Sequence, residues 1–315
     1  MKDARTTITG NLSTDKKLEL LRAAREKCAE SSDIAYLLGL AEIESGDLSK
    51  GEASIRSAIS SNPQASYYAA LTNCLIKQAK LIEAAEAVKS GLELDGASAE
   101  LFNSSGILEL KDGKLSSAEA LFRRAVAIKP NFVEANFNLG LVLQQEGRFD
   151  EAAVSYQQAI NLAPGLLEPR FNLANLHLQN DKIDQAERVL KDIPQPGVEK
   201  REYWLLKAAI AEKRGALDEA KQSLDRVKTI SGDSVELSIA QARLVVVGGD
   251  VSGGVQRLTG LRDAHPSSSD VRSALGWALI VEGKKDQAKV ELEEALRLDP
   301  ANHSAKKNLQ TLISN

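Results

Sequence analysis

Four prolines constrain this chain more than any other feature. Pro130, Pro164, Pro266 and Pro300 are separated by 34 residues, then by three times 34, then by 34 again. A fixed period of this length marks stacked supersecondary units, not a globule built around one centre. When the unit is numbered so that these prolines fall at position 32, the rest of the sequence comes into phase. A single residue deleted after Pro63 keeps eight units in register.

Each recurring position has a physical reason. Position 8 is small: Gly39, Thr72, Gly106, Gly140, Ala174, Ala208, Ala242 and Gly276. Position 20 is smaller still: Gly51, Ala84, Ala118, Ala152, Ala186, Ala220, Gly254 and Ala288. Small side chains at these two places let a pair of antiparallel helices approach closely. Position 24 is large and apolar, from Ile55 and Val88 through Phe122 and Tyr156 to Leu292, and fills the space beside that contact. Position 15 is Gly in six units, with Ala79 and Asp181 in the others. Glycine there can take the left-handed conformation that ends the first helix. An Asp, Ser or similar residue is then expected to start the second helix. Proline at position 32 stops it.

The segment from Val133 to Pro164 carries the pattern most clearly, with Leu139-Gly140, Gly147, Ala152, Tyr156, Ala159 and Pro164 in phase. It resembles the tetratricopeptide repeat, and the resemblance extends over about residues 32–302. What it implies is an all-α, right-handed superhelical solenoid of eight helix–turn–helix repeats at 32–64, 65–98, 99–132, 133–166, 167–200, 201–234, 235–268 and 269–302. A polar tail (1–13) and a half-repeat helix (14–31) are expected before it, and a capping helix (303–315) after it, with Lys306, Lys307 and Gln310 on an exposed face. The resemblance also implies that each repeat touches only its neighbours. Pro194 and Pro196 should stop the second helix of the fifth repeat near Ile193, and Gly248, Gly249, Gly253 and Gly254 should loosen the seventh.

Composition agrees with helices and narrows the function. Ala and Leu supply most of the apolar content, and aromatics are only 4%. The net charge of −4 comes from 44 acidic and 40 basic residues scattered along the chain. No basic block offers a nucleic-acid or anionic-membrane footprint. No run approaches a membrane span and the first residues lack a signal-peptide core, so the expected location is cytoplasmic. Cys28 and Cys74 form no framework. His177, His265 and His303 have no helical metal partner at i+3 or i+4. No phosphate loop or nucleophile elbow occurs. The reading is therefore a non-enzyme without cofactor or metal. The acids at position 2, Asp33, Glu100, Glu134, Glu168, Glu202, Glu236 and Asp270, suit the first turn of a helix electrostatically.

The expected activity is that of an adaptor holding a peptide or helix of a protein partner. In the tetratricopeptide family the groove is lined from positions 2, 5, 9, 12 and 13 of the first helix. Carried onto this chain with position 6, the candidate partner-binding residues are Tyr36, Asn73, Asn103, Phe137, Asn138, Leu141, Phe171, Asn172, Asn175, Arg243 and Trp277. Aromatic and Arg side chains anchor such surfaces, and amides can bond both donors and acceptors of an extended backbone. Asn138 and Asn172 resemble part of the asparagine ladder of protein O-GlcNAc transferase. The alternative reading follows from this: a substrate-recruiting arm of a larger enzyme of that kind. The carboxylate clamp with which some members bind chaperone tails is missing, because its place at position 2 is taken by acids.

Overall fold

The structure is a computed structural model and describes residues 12–195 and 197–314. The tail expected over 1–13 lies outside the described residues, apart from Leu12 and Ser13; Pro196 lies outside them too. Eighteen α-helices and no strand occur among the described residues. They are α1 (Thr14–Lys27), α2 (Ser32–Glu44), α3 (Leu48–Ser61), α4 (Ala65–Lys77), α5 (Leu81–Leu94), α6 (Ala99–Lys111), α7 (Leu115–Ile128), α8 (Val133–Gln145), α9 (Phe149–Leu162), α10 (Glu168–Gln179), α11 (Ile183–Lys191), α12 (Arg201–Lys213), α13 (Leu217–Ser231), α14 (Val235–Val247), α15 (Val251–Ala264), α16 (Ser269–Glu282), α17 (Lys285–Leu298) and α18 (His303–Ser314). The chain forms two compact units, Met1–Val142 and Leu143–Asn315.

In both units the helix pairs close where the side chains are smallest. A Cβ placed on Gly39 would meet Ile55 Cγ1 at 2.6 Å, and one on Gly51 would meet Ile43 Cγ1 at 2.5 Å. Between α6 and α7, a Cβ on Gly106 would sit 2.6 Å from the Phe122 ring. The second unit repeats this geometry at Gly276, 2.6 Å from Leu292 Cγ. Gly254 is part of the same device: its Cβ would lie 2.2 Å from Val246 Cγ2. The glycine run that reads as a loose segment therefore includes a contact requiring glycine: Gly248 and Gly249 form the turn, while Gly253 and Gly254 lie within α15.

The turn inside each pair is built by the backbone. All eight residues at position 15 have positive φ, including Ala79 at 58° and Asp181 at 56°. The next residue donates its N–H to a carbonyl five residues back, as Lys114 does to Glu109, Arg148 to Leu143 and Lys182 to His177. This is the Schellman closure, which satisfies a carbonyl that the helix end would otherwise leave bare. The side-chain cap expected for the second helix exists at Asp47 and Asp250. At Lys80, Lys114, Arg148, Lys182, Ala216 and Lys284 there is none. With the entry angle already set by the left-handed residue, these turns form without a cap.

The first unit ends in α1, whose Leu18 and Leu21 are buried against Leu38 and Ala41. In the second unit α11 ends at Lys191, two residues before Ile193, and a short 3₁₀ turn (Gly197–Glu199) leads into α12. Its Val198 carbonyl accepts from Trp204 Nε1 at 2.9 Å. At the other end α18 buries Ala305 against Leu292 and Ala295, with Leu309 and Leu312 alongside.

One arrangement departs from the expectation of purely neighbouring contacts. The polar face of α18 is not simply solvated. Lys307 Nζ pairs with Asp181, 126 residues earlier, and lies 3.4 Å from the Gln179 carbonyl. The His303 imidazole stands edge-on to Phe149, with ring centroids 5.3 Å apart. Within the second unit, the last helix therefore returns to the ends of α10 and the start of α9.

Two substitutions test the pairing. Gly106→Val should destabilise the chain by about 3 kcal/mol, because the Phe122 ring has nowhere to move. Ala79→Gly should stabilise it by about 1 kcal/mol, since the left-handed cost of a Cβ exceeds the entropy cost of glycine. Urea unfolding followed by circular dichroism measures both.

Candidate binding cavity

The second unit holds a cavity of about 540 Å³ walled by the first helices of successive pairs. α10 supplies Phe171, Asn172, Asn175 and Leu178; α12 supplies Glu202, Leu205, Ala209 and Glu212; α14 supplies Glu236, Ile239, Ala240 and Arg243. The three- and four-residue spacings keep each set on one helical face. Leu178 is buried; Phe171, Leu205 and Ile239 are half-buried, so their apolar surface is partly open. Asn175 is exposed and Asn172 half-buried.

The charges are tied together. Arg243 Nη2 donates to Glu212 Oε1 at 2.8 Å, and its guanidinium carbon lies 4.5 Å from the Trp277 ring centroid. Glu202 and Glu236 share Arg201, at 3.1 and 3.0 Å. That pairing holds the Arg201 guanidinium above its ordinary range. Lys213, also on the wall, is turned toward Asp181. A second cavity of about 610 Å³ shares Glu236, Ile239 and Arg243 and continues to Asp270, Ser273 and Ser304. Asp270 accepts from Asn302 Nδ2 at 3.1 Å.

Of the candidate residues, Phe171, Asn172, Asn175 and Arg243 thus line one cavity, and Trp277 reaches it through Arg243. The candidates of the first unit have other surroundings. Tyr36 stacks on Tyr67 with centroids 4.5 Å apart, and burial, aided by Glu100, raises its hydroxyl above the usual range. Asn73 is exposed and accepts from the Ser104 hydroxyl at 2.9 Å. Asn103 is only 5% exposed, and its amide oxygen accepts from Asn138 at 2.9 Å. Asn103 is therefore a buried internal partner here, because the neighbouring helix brings another asparagine to it. Phe137 and Leu141 are half-buried.

Glu202 and Glu236, which suit their helix N-termini, also wall the cavity. Glu212 is absent from the candidate residues, although it continues the 202, 205, 209 row by one more three-residue step. Among the described residues, no group of three or more His, Cys, Asp or Glu side chains could hold a metal ion. No helix among them is long and apolar enough to cross a membrane.

This architecture of stacked helix pairs, with a walled inner cavity, defines an interaction-type helical repeat protein. The tetratricopeptide-repeat family profile matches residues 103–166, 143–210 and 269–302. The chain is a tetratricopeptide-repeat protein. The comparison with curated proteins gives no match. Among solved structures, the chain is similar to a tetratricopeptide repeat protein from Parabacteroides merdae, at 15% identity and a TM-score of 0.64 over 79% of this chain and 98% of that one. It is also similar to Cut9 in the APC/C Cut9–Hcn1 heterotetramer, at 15% identity and a TM-score of 0.60 over 95% of this chain and 59% of that one. A third likeness is to human IFIT1 with m7Gppp-AAAA, at 14% identity and a TM-score of 0.61 over 92% and 68%. At these identities the likeness is one of fold.

The cavity gives a prediction of its own. Arg243→Met should leave Glu212 without its partner while keeping the bulk of the side chain beside Trp277. Indole fluorescence should then shift, because the guanidinium no longer stands over one of the two tryptophans of the chain, Trp204 and Trp277. An unshifted spectrum would show that Arg243 does not hold Trp277.

Proposed function

We propose that this tetratricopeptide-repeat chain, with eight repeats over 32–302, is a non-catalytic adaptor. The α10–α12–α14 cavity receives a segment of a protein partner. One observation carries the reading: Phe171, Leu205 and Ile239 offer apolar surface beside three carboxylates, Glu202, Glu212 and Glu236, and two free-standing amides, Asn172 and Asn175. Apolar surface with a few fixed polar groups is what binding sites present. Its carboxylates favour an occupant that combines apolar side chains with Lys or Arg.

The comparisons support a binding role without choosing the ligand. Cut9 is seen with the protein Hcn1, and IFIT1 with m7Gppp-AAAA. The cavity's three glutamates argue against a phosphate-rich ligand, since each would repel it. Two of them already occupy Arg201, and the third occupies Arg243.

The test is a peptide array of twelve-residue segments varied in charge and apolar content, with labelled m7Gppp-AAAA as a separate probe. Basic-apolar peptides should bind best. Phe171→Ala combined with Ile239→Asp should weaken them at least tenfold while far-ultraviolet circular dichroism stays unchanged. Preference for acidic peptides or for the capped oligonucleotide, or binding that survives the double substitution, would overturn the proposal.

A further inference from the structure

The two faces of α18 make different kinds of contact. Toward α17 it is apolar and tight, with Ala305 fully buried and Leu309 and Leu312 packed beside it. Toward α9 and α10 it is polar and loose. There Lys307 meets Asp181 and the Gln179 carbonyl, His303 meets the Phe149 ring, and a cavity of about 500 Å³ lies between, lined by Gln145, Asn180, Lys306 and Gln310 among others. The contacts across this closure include exposed charges, a hydrogen bond from His303 to the Gln144 carbonyl and a ring contact, which are weak next to the apolar face.

Asp181 shows that the closure is a feature in its own right. It stands at a position that demands left-handed backbone, where six of the other seven turns use Gly. Aspartate tolerates φ of 56° better than most residues, though less easily than Gly. What it adds is a carboxylate placed between Lys307 and Lys213. Lys213 lines the main cavity, and Ser304 of α18 lines the adjoining one. The clasp thus sits at the edge of the inner face.

We propose that α18 is a releasable clasp: riding on α17, it holds the inner face of the second unit closed, and parting of Lys307 from Asp181 widens that face. Stacked pairs joined only to their neighbours flex easily, so a single distant contact can set their curvature. The proposal concerns the opening itself and does not depend on which ligand enters.

Acidification should favour the open state. Burial, with Lys306 beside it, lowers His303 below its ordinary range, and the Gln144 carbonyl and Asp299 offset this in part. The closed form thus holds a neutral imidazole flanked by Lys306, Lys307 and Asp299, with Glu146 and Asp181 on the facing segment. Its preference is complete above the ordinary histidine pKa of 6.5 and is lost as pH falls through the lowered value. Asp181 stays ionised over that window, because its bonds to Lys213 and Lys307 lower its own value.

The test uses the full chain with Cys28→Ser, leaving buried Cys74 in place, and spin labels on Lys191→Cys and Ile313→Cys. Pulsed dipolar spectroscopy should give one narrow distance distribution at pH 8. Lys307→Glu should move at least half of the population to a longer, broader distribution. Asp181→Asn, which keeps the left-handed tolerance, and 1 M salt on the parent should do the same, and lowering the pH from 8 should shift the population in that direction. An unchanged distribution in both variants and in salt would overturn the clasp. If Lys307→Glu proves unfolded by circular dichroism, the Asp181→Asn and salt results decide.

Discussion

Everything in this protein rests on how closely two helix backbones can approach. At Gly39, Gly51, Gly106, Gly254 and Gly276 there is no room for even one more carbon. Because the axes come so near, the large residue at position 24 is driven into the seam. Ile55, Phe122, Tyr156 and Leu292 are fully buried as a result. Stability is thereby distributed over many equivalent local seams, as dispersion and burial demand of a stack without a central core.

That distribution determines how a site can be made. With the small residues committed to the seam, the inner face of each first helix is free to vary, and successive helices deliver one row of side chains each. The Glu202–Leu205–Ala209–Glu212 row and the Glu236–Ile239–Ala240–Arg243 row meet across the cavity for this reason. Arg201 and Arg243 then stitch neighbouring rows together through Glu236 and Glu212. The same side chains that offer recognition also hold the wall in place.

The helical architecture was legible in the sequence because it is periodic. Small residues at two fixed positions and a left-handed one at a third cannot recur by accident of composition, and the turns at Ala79 and Asp181 show that backbone geometry, not glycine itself, is what recurs. Of the eleven candidate residues, Phe171, Asn172, Asn175 and Arg243 come together in one cavity, because helical phase puts them on facing rows. The setting of Asn103 was not legible, since whether an amide faces outward or bonds to Asn138 depends on a neighbour one repeat away. The return of α18 was invisible, because no period links residues 181 and 307. Its one trace was an aspartate where glycine was expected.

A stacked chain ordinarily melts from its tips, the outermost pair fraying first because it has one neighbour instead of two. Tying residue 307 to residue 181 gives the C-terminal tip a second neighbour. Loss of the last helices must then coincide with breaking an attachment near the fifth pair, so unravelling from that side becomes a shared event spanning several pairs.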